Sequence, residues 1–495
     1  MSLTKRILAA LLCTATMAMT FASCGGGTDT PANNDNADTT AAAEETTTAA
    51  ETEPPEYVKP DVNYDGKTFI FSSLRQPNPN WVARHYVEAD RPELNGDIIN
   101  DAIYERIKAT EEDTGVTIKS NIFENAGTMA NTIMAGDHFT DLTLMAGNGV
   151  KTLLQQNMLT DLFSIDTLDL SKSWWDQNSV EQLSLGNKLY IAAGDISPFG
   201  ILASHCTFVN KGMIRTYNLE DPYEAVRGGT WTYDKMVEMG KAVARDVDGD
   251  GVMTDSDTYG YSSEGIGMVT AGAAGTVFTT KDENDYPVLN INEDVAAAAV
   301  EKIVTAFRDP NICLYSGKVT GTYTNVFRQC IVQKFIEDTL MFVNNWLVVA
   351  LDLRDMDSDF GILPPPKLNE AQETYNIYHS ETWTTYAFVP KTAQDLDMVG
   401  NVMNVLGYYG HEHIYKALIE TTITSKTLRD TDTEEMLDII YNNRHFELAG
   451  IYNWGSISNM FNGFITGNDI NFASKYAASK SAIETAIQAT IDALE

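Results

Sequence analysis

The alternation of strand-like and helix-like segments between Lys67 and Gly147 constrains the fold more than any other feature. Asp65-Gly66 is a turn signal, and Lys67-Thr68-Phe69-Ile70-Phe71-Ser72 then reads as a buried strand. Asp97 is a helix cap, Ile99, Ala102, Ile103 and Ile107 recur at helical spacing, and Gly115 ends the run. Val116 to Lys119 predicts a second strand, Thr128 to Met134 a second helix, and Asp141 to Met145 a third strand that stops at Ala146-Gly147. Strand, helix, strand, helix, strand is a parallel α/β unit, and in such units ligands sit beyond the carboxyl ends of the strands.

The amino terminus sets the compartment. Lys5 and Arg6 precede an uncharged run from Ile7 to Ala22, shorter than the roughly 20 residues a membrane-spanning helix needs. Phe21-Ala22-Ser23-Cys24 followed by three glycines resembles a bacterial lipobox, although Phe21 stands where Leu is usual. Residues 1–23 are therefore expected to be a lipoprotein signal peptide, and Cys24 an acylated tether rather than a thiol, since two chains suffice for stable anchoring. Residues 25–56 hold no Lys or Arg and are dominated by Thr, Ala, Glu, Asp, Asn and Pro. Such a stretch cannot bury enough apolar surface to offset the entropy of ordering, so 24–56 reads as a disordered acidic spacer.

The remainder, 57–495, is long enough for two or three domain-sized units. A net charge of 34 − 69 = −35 excludes nucleic acid as a partner, because phosphate backbones need cationic surface. Beyond Cys13 and Cys24, three cysteines (Cys206, Cys313, Cys330) are too few for a disulfide framework. A Cys313–Cys330 bridge and three separate buried thiols both remain open.

Several segments resemble, in order, those of the bacterial extracellular solute-binding proteins, specifically family 1-like sugar-binding lipoproteins of ABC transporters. Ile103 to Lys119 (IYERIKATEEDTGVTIK) looks like their helix, acidic turn, Thr-Gly and strand, and Asp141 to Gly147 like their Asp-hydrophobic-Met strand. Met158-Leu159-Thr160-Asp161-Leu162, Gly186 to Ala192, Thr207 to Lys211, Gly229 to Tyr233, Phe342 to Trp346 and Gly361 to Pro366 continue the series across nearly all of 60–495. The resemblance implies an α/β, two-lobed, periplasmic-binding-protein-like fold with an interlobe ligand cleft and crossing hinge strands. It implies one lobe over 57–194 and 384–425, and the other over 195–383 and 426–495. It implies a monomeric receptor for a small solute, a sugar or oligosaccharide, that works with an ABC permease on the outer face of the cell membrane, and not an enzyme.

Candidate ligand contacts follow from sugar chemistry, because flat C–H faces stack on rings while hydroxyl rims pair with polar groups. Trp81 and Tyr86 follow the first predicted strand. Trp346 lies where the resembled family offers a stacking ring, Glu381 and Trp383 near the returning crossover, and Trp454 in a loop-like stretch. Trp231 is assigned to packing, and for Trp174-Trp175 both roles stay open. Asp246-Val247-Asp248-Gly249-Asp250-Gly251-Val252 through Asp257 has the spacing of a twelve-residue calcium loop. Its expected ligands are Asp246, Asp248, Asp250, the Val252 carbonyl and Asp257, binding Ca²⁺ structurally. His411-Glu412-His413 has no metal-site frame and reads as surface histidines. No nucleophile elbow, phosphate loop or dinucleotide fingerprint occurs. A surface-anchored carbohydrate-active enzyme and a calcium-dependent adhesion or scaffold protein are the alternative readings of the same features.

Overall fold

Asp97 and Gly115 bracket the first helix of the computed structural model, which describes residues 57–74, 93–263, 267–319, 321–353, 356–419 and 431–494. The signal peptide, Cys24, the spacer, Trp81, Tyr86 and the end of the 384–425 segment lie outside these residues. In chain order the elements used below are β1 (Thr68–Leu74), α1 (Ile98–Thr114), β2 (Thr117–Phe123), α2 (Ala126–Met134), β3 (Leu142–Ala146) and α3 (Gly147–Gln155). There follow α4 (Pro198–Leu202), β4 (His205–Asn210), β5 (Tyr259–Ser263), α5 (Gly267–Ala273), β6 (Thr279–Lys281), β7 (Pro287–Leu289) and α6 (Glu293–Phe307). Next are β8 (Cys313–Tyr315), β9 (Leu340–Trp346), β10 (Phe360–Leu363), β11 (Ile377–Tyr378), β12 (Thr385–Phe388) and α7 (Leu396–Tyr409). The chain closes with β13 (Arg444–His445), α8 (Ile457–Gly467) and α9 (Phe472–Asp492).

The Asp97 carboxylate accepts from the N–H groups of Ile99 and Asn100, satisfying donors the helix cannot pair internally. Gly115 leaves α1 at φ 71°, and a Cβ there would meet Asn63 Oδ1 at 2.2 Å, so the turn into β2 needs glycine. β1 then pairs in parallel with β2 (Phe71 opposite Ser120) and with β3 (Phe71 opposite Leu142). Phe69, Phe71, Leu142 and Leu144 are fully buried, as expected of a parallel sheet covered on both faces.

That sheet has the order β12-β3-β1-β2, and its edge strand β12 arrives antiparallel from late in the chain. A second sheet, β10-β4-β9-β5-β8, mixes parallel pairs (β5 with β8 and β9) with antiparallel β4 and β10. Two segments connect the sheets. The outgoing one bonds to the returning one at Ala192 and Ala387, with N–H···O distances of 3.1 and 2.8 Å. They meet again at Ser204 and His379, where Ser204 Oγ lies 3.2 Å from His379 Nε2. α8 packs on α5 and α6, and α9 packs on α6 and β7. Ile483 and Ile487 of α9, spaced one turn apart, are both buried. Among the described residues no helix is long and apolar enough to cross a membrane. Cys206, Cys313 and Cys330 are three separate buried thiols, so the Cys313–Cys330 alternative does not occur.

Candidate ligand-binding site

Beyond the carboxyl end of β9 lies a cavity of about 500 Å³. Trp346 is the last residue of β9 and only 8% exposed; its N–H donates to Asn345 Oδ1 at 2.8 Å. Its ring lies 5.4 Å from that of His205, the residue paired with it across the sheet. His205 has no hydrogen-bond partner at either ring nitrogen, and burial pushes its pKa down to about 3. Trp383 reaches the same cavity from the returning crossing segment, its N–H fixed on Ser380 Oγ at 3.0 Å. Phe199 and Leu202 come from α4 on the outgoing segment. The second sheet and both crossing segments thus build one wall system.

The polar part of the wall comes from 316–328 and 345–352. Phe327–Val332 is a π-helical turn, a feature frequent at functional sites because the extra residue re-aims side chains. Arg328, on this turn, donates from Nη2 to both oxygens of Asp352 at 3.2 and 3.3 Å, and both residues line the cavity. Tyr323 also lines it, and its hydroxyl donates to Asp255 Oδ2 at 2.7 Å, which raises the phenol pKa to about 12. Apolar rings with one internally neutralised charge pair and carboxamides at Asn325 and Asn345 suit a ligand with apolar faces and a polar rim.

The structure brings Trp346 and Trp383 together and leaves two other expected contacts elsewhere. Glu381 turns away and lines a void of about 10 Å³, one water in size, with Tyr378, His379, Tyr386 and Glu447. Burial raises its carboxyl pKa, so it is a desolvated acid beneath the crossing segment. Trp454 is 2% exposed, stacks on Tyr452 at 5.1 Å and donates Nε1–H to Thr490 Oγ1 at 2.8 Å. It pins the region before α8 against α9. Phe327, Arg328, Asp352 and Asn345 carry no local spacing that marks them, and sequence reasoning passed over them.

In the acidic loop, carboxylate oxygens of Asp246, Asp248 and Asp250 converge within 4.8 Å of one another, the one such group among the described residues. Asp246 accepts from the N–H groups of Gly251 and Gly249, both at 2.7 Å, and these bonds lower its pKa. Asp248 accepts from Asp250 N–H, which pulls its pKa down, yet the Asp246 carboxyl beside it leaves the net shift upward. Three converging carboxylates are the kind of donor set a hard, oxygen-seeking ion takes. Asp257 stands apart from them. Its two oxygens accept from Val247 N–H (2.8 Å) and Thr254 N–H (2.7 Å), closing the loop on its own backbone. The histidines expected at the surface are half in the fold: His411 Nδ1 pairs with Asp195 Oδ2 at 2.7 Å, and His413 stacks on Tyr409. Trp231 is fully buried and donates Nε1–H to the Pro364 carbonyl at 2.9 Å.

Two sheets joined by paired crossing segments, with a cavity at strand carboxyl ends, define the two-lobed fold of the extracellular solute-binding proteins. Solved structures of that class are similar to most of this chain. An ABC substrate-binding protein of Listeria monocytogenes in complex with cycloalternan has a TM-score of 0.55 at 13% identity, covering 85% of this chain and 99% of that one. The GacH receptor of Streptomyces glaucescens, described with acarbose, gives 0.55 at 11% identity, with 85% and 99% covered. The maltose-binding protein MalE of Listeria monocytogenes, in complex with maltose, gives 0.52 at 14% identity, with 86% and 98% covered. No family model and no curated protein matches the sequence.

Proposed function

We propose that this protein is a lipid-anchored receptor that captures a carbohydrate outside the cell and presents it to an ABC permease, without altering it chemically. The observation that carries this reading is the cavity of about 500 Å³ in which Trp346 and Trp383 meet beside the Arg328–Asp352 pair. The rings offer faces for sugar C–H groups, and the pair offers a donor and an acceptor to hydroxyls. The similar structures were solved with cycloalternan, acarbose and maltose, all carbohydrates.

In this reading 57–194 with 384–425 forms one lobe and 195–383 with 426–495 the other. Ligand closes them about the crossing segments in proportion to its preference for the closed state. Cys24 carries the acyl chains, residues 25–56 hold the receptor away from the bilayer, and the working unit is a monomer. Calcium bound by Asp246, Asp248, Asp250 and the Val252 carbonyl braces the second lobe.

A thermal-shift panel of maltose, maltotriose and cyclic glucans on dialysed protein tests the reading, followed by chromatography of the recovered sugar. Saturable stabilisation with sugar returned intact supports the receptor. A cleaved or rearranged sugar replaces it with the enzyme alternative. Cys24→Ser should release unacylated protein; an acylated, normally processed Cys24→Ser protein would remove the anchor from the proposal.

A further inference from the structure

A smaller pocket, of about 260 Å³, lies behind the wall of the main cavity and is lined by Arg308, Lys318, Cys313, Tyr315, Gly317 and Asn468 among others. The segment 315–318 is the partition: Ser316 lines the large cavity, while Tyr315, Gly317 and Lys318 line the small one. Arg308, the residue that ends α6, lies over Tyr315 with Cζ 4.1 Å from the ring centroid. Gly317 makes this possible, because a Cβ there would sit 2.4 Å from Tyr315 Cε1.

The guanidinium is therefore held in place, yet its buried Nη1 has no hydrogen-bond partner. Among the described residues neither Arg308 nor Lys318 makes an ion pair, although the chain has 69 acids for 34 bases. The neighbouring groups do not supply the missing charge. Asp309 forms no ion pair with either cation, its Oδ1 accepting instead from Asn311 N–H, and burial holds the Cys313 thiol in its neutral form despite the two cations beside it. A buried charged donor left unpaired is costly, and a guanidinium fork matches planar or tetrahedral oxyanions.

We propose that this pocket binds a small oxyanion, a phosphate or a carboxylate group, between Arg308 and Lys318. It is a second site, independent of the carbohydrate reading of the main cavity. Asn468 lines the same pocket and supplies a neutral donor.

Thermal unfolding of the full protein in inorganic phosphate or acetate, each against chloride at matched ionic strength, tests this. At about 0.15 M salt the Debye length is about 8 Å, which screens the distant acids that repel an anion. A saturable rise in Tm in either anion is expected, and the arm with the tighter midpoint identifies the oxyanion class. R308M should abolish the saturable shift. Lys318 is exposed and unpaired, so K318M should fold normally and weaken the apparent affinity by about tenfold. Absence of a saturable shift in the wild type, or a shift that K318M leaves unchanged, overturns the proposal even where R308M fails to fold.

Discussion

The 246–257 loop and the cavity at the end of β9 solve opposite electrostatic problems. In the loop three carboxylates converge within 4.8 Å, so in the proposed reading the balancing charge is a calcium ion taken from solution. In the cavity Arg328 pairs with Asp352, so the proposed sugar would be selected there by shape and hydroxyl pattern rather than by net charge. The loop draws all its chemistry from twelve consecutive residues, whereas the cavity collects side chains from Phe199 to Trp383 through sheet register. Among the described residues the two regions touch where the Tyr323 hydroxyl donates to Asp255. In the proposed reading an ion at the loop would register in stability, and a sugar in the cavity in the angle between the lobes.

Removing the two tryptophans of the cavity in turn should have the largest effects. Trp346 is nearly buried and ends a central strand, so Trp346→Ala should cost about 3–5 kcal/mol of stability, as large-to-small core changes do. Trp383 sits on a turn and is partly exposed. Trp383→Ala should leave the urea midpoint nearly unchanged and weaken sugar binding by about ten- to a hundredfold, from the loss of about 1–3 kcal/mol of ring contact. Equal stability losses in the two variants would show that the rings are one packed core and that the cavity is not a site.

What the sequence made legible follows the same division. The β1–α1–β2–α2–β3 alternation could be read because turn, cap and period signals are local, and Asp97, Gly115 and the buried Phe69 and Phe71 stand where those signals put them. The acid cluster could be read for the same reason, except that Asp257 turned to the backbone N–H groups of Val247 and Thr254. Arg328 and Asp352 are 24 residues apart, and the arginine lies on a π-helical turn, so no periodicity announces their pairing. Trp454 and Trp346 are alike as letters; packing against α9 separates one from the cavity and strand register delivers the other.

Calcium should produce the next largest effect. At a concentration about a hundredfold above its dissociation constant an ion that binds only the native state adds about 2.7 kcal/mol. Tm should therefore rise with calcium and fall with chelator, and Asp248→Ala with Asp250→Ala should remove the difference. Because Asp255 holds the cavity residue Tyr323, chelator should also weaken sugar affinity slightly in the wild type and not in Tyr323→Phe. A chelator-insensitive melting curve after exhaustive dialysis would reduce the loop to a solvated acidic turn.

The smallest effect lies at neither region but beside the outgoing crossing segment, where Asp195 holds His411 at 2.7 Å. Burial lowers the imidazole pKa, and the Asp195 hydrogen bond and charge more than offset it, leaving the folded value raised. A raised folded pKa means the folded chain binds the proton more tightly than the unfolded one. The stabilisation is then complete below the unfolded value near 6.5 and is lost as pH rises through the folded value. With 36% of the His411 side chain open to solvent, screening keeps the effect under about 1 kcal/mol. His205 and His379, whose pKa values burial depresses, contribute with the opposite sign, since they stabilise the fold above the unfolded value and oppose it below. The total curve therefore hides the term, and the difference between wild type and His411→Gln isolates it. Urea midpoints from pH 6 to 9 should show that difference largest at the acidic end and shrinking as the imidazole deprotonates. A difference that stays flat, or grows with pH, would mean that Asp195 does not hold a charged His411 and that the pair beside the crossing segment is only packing.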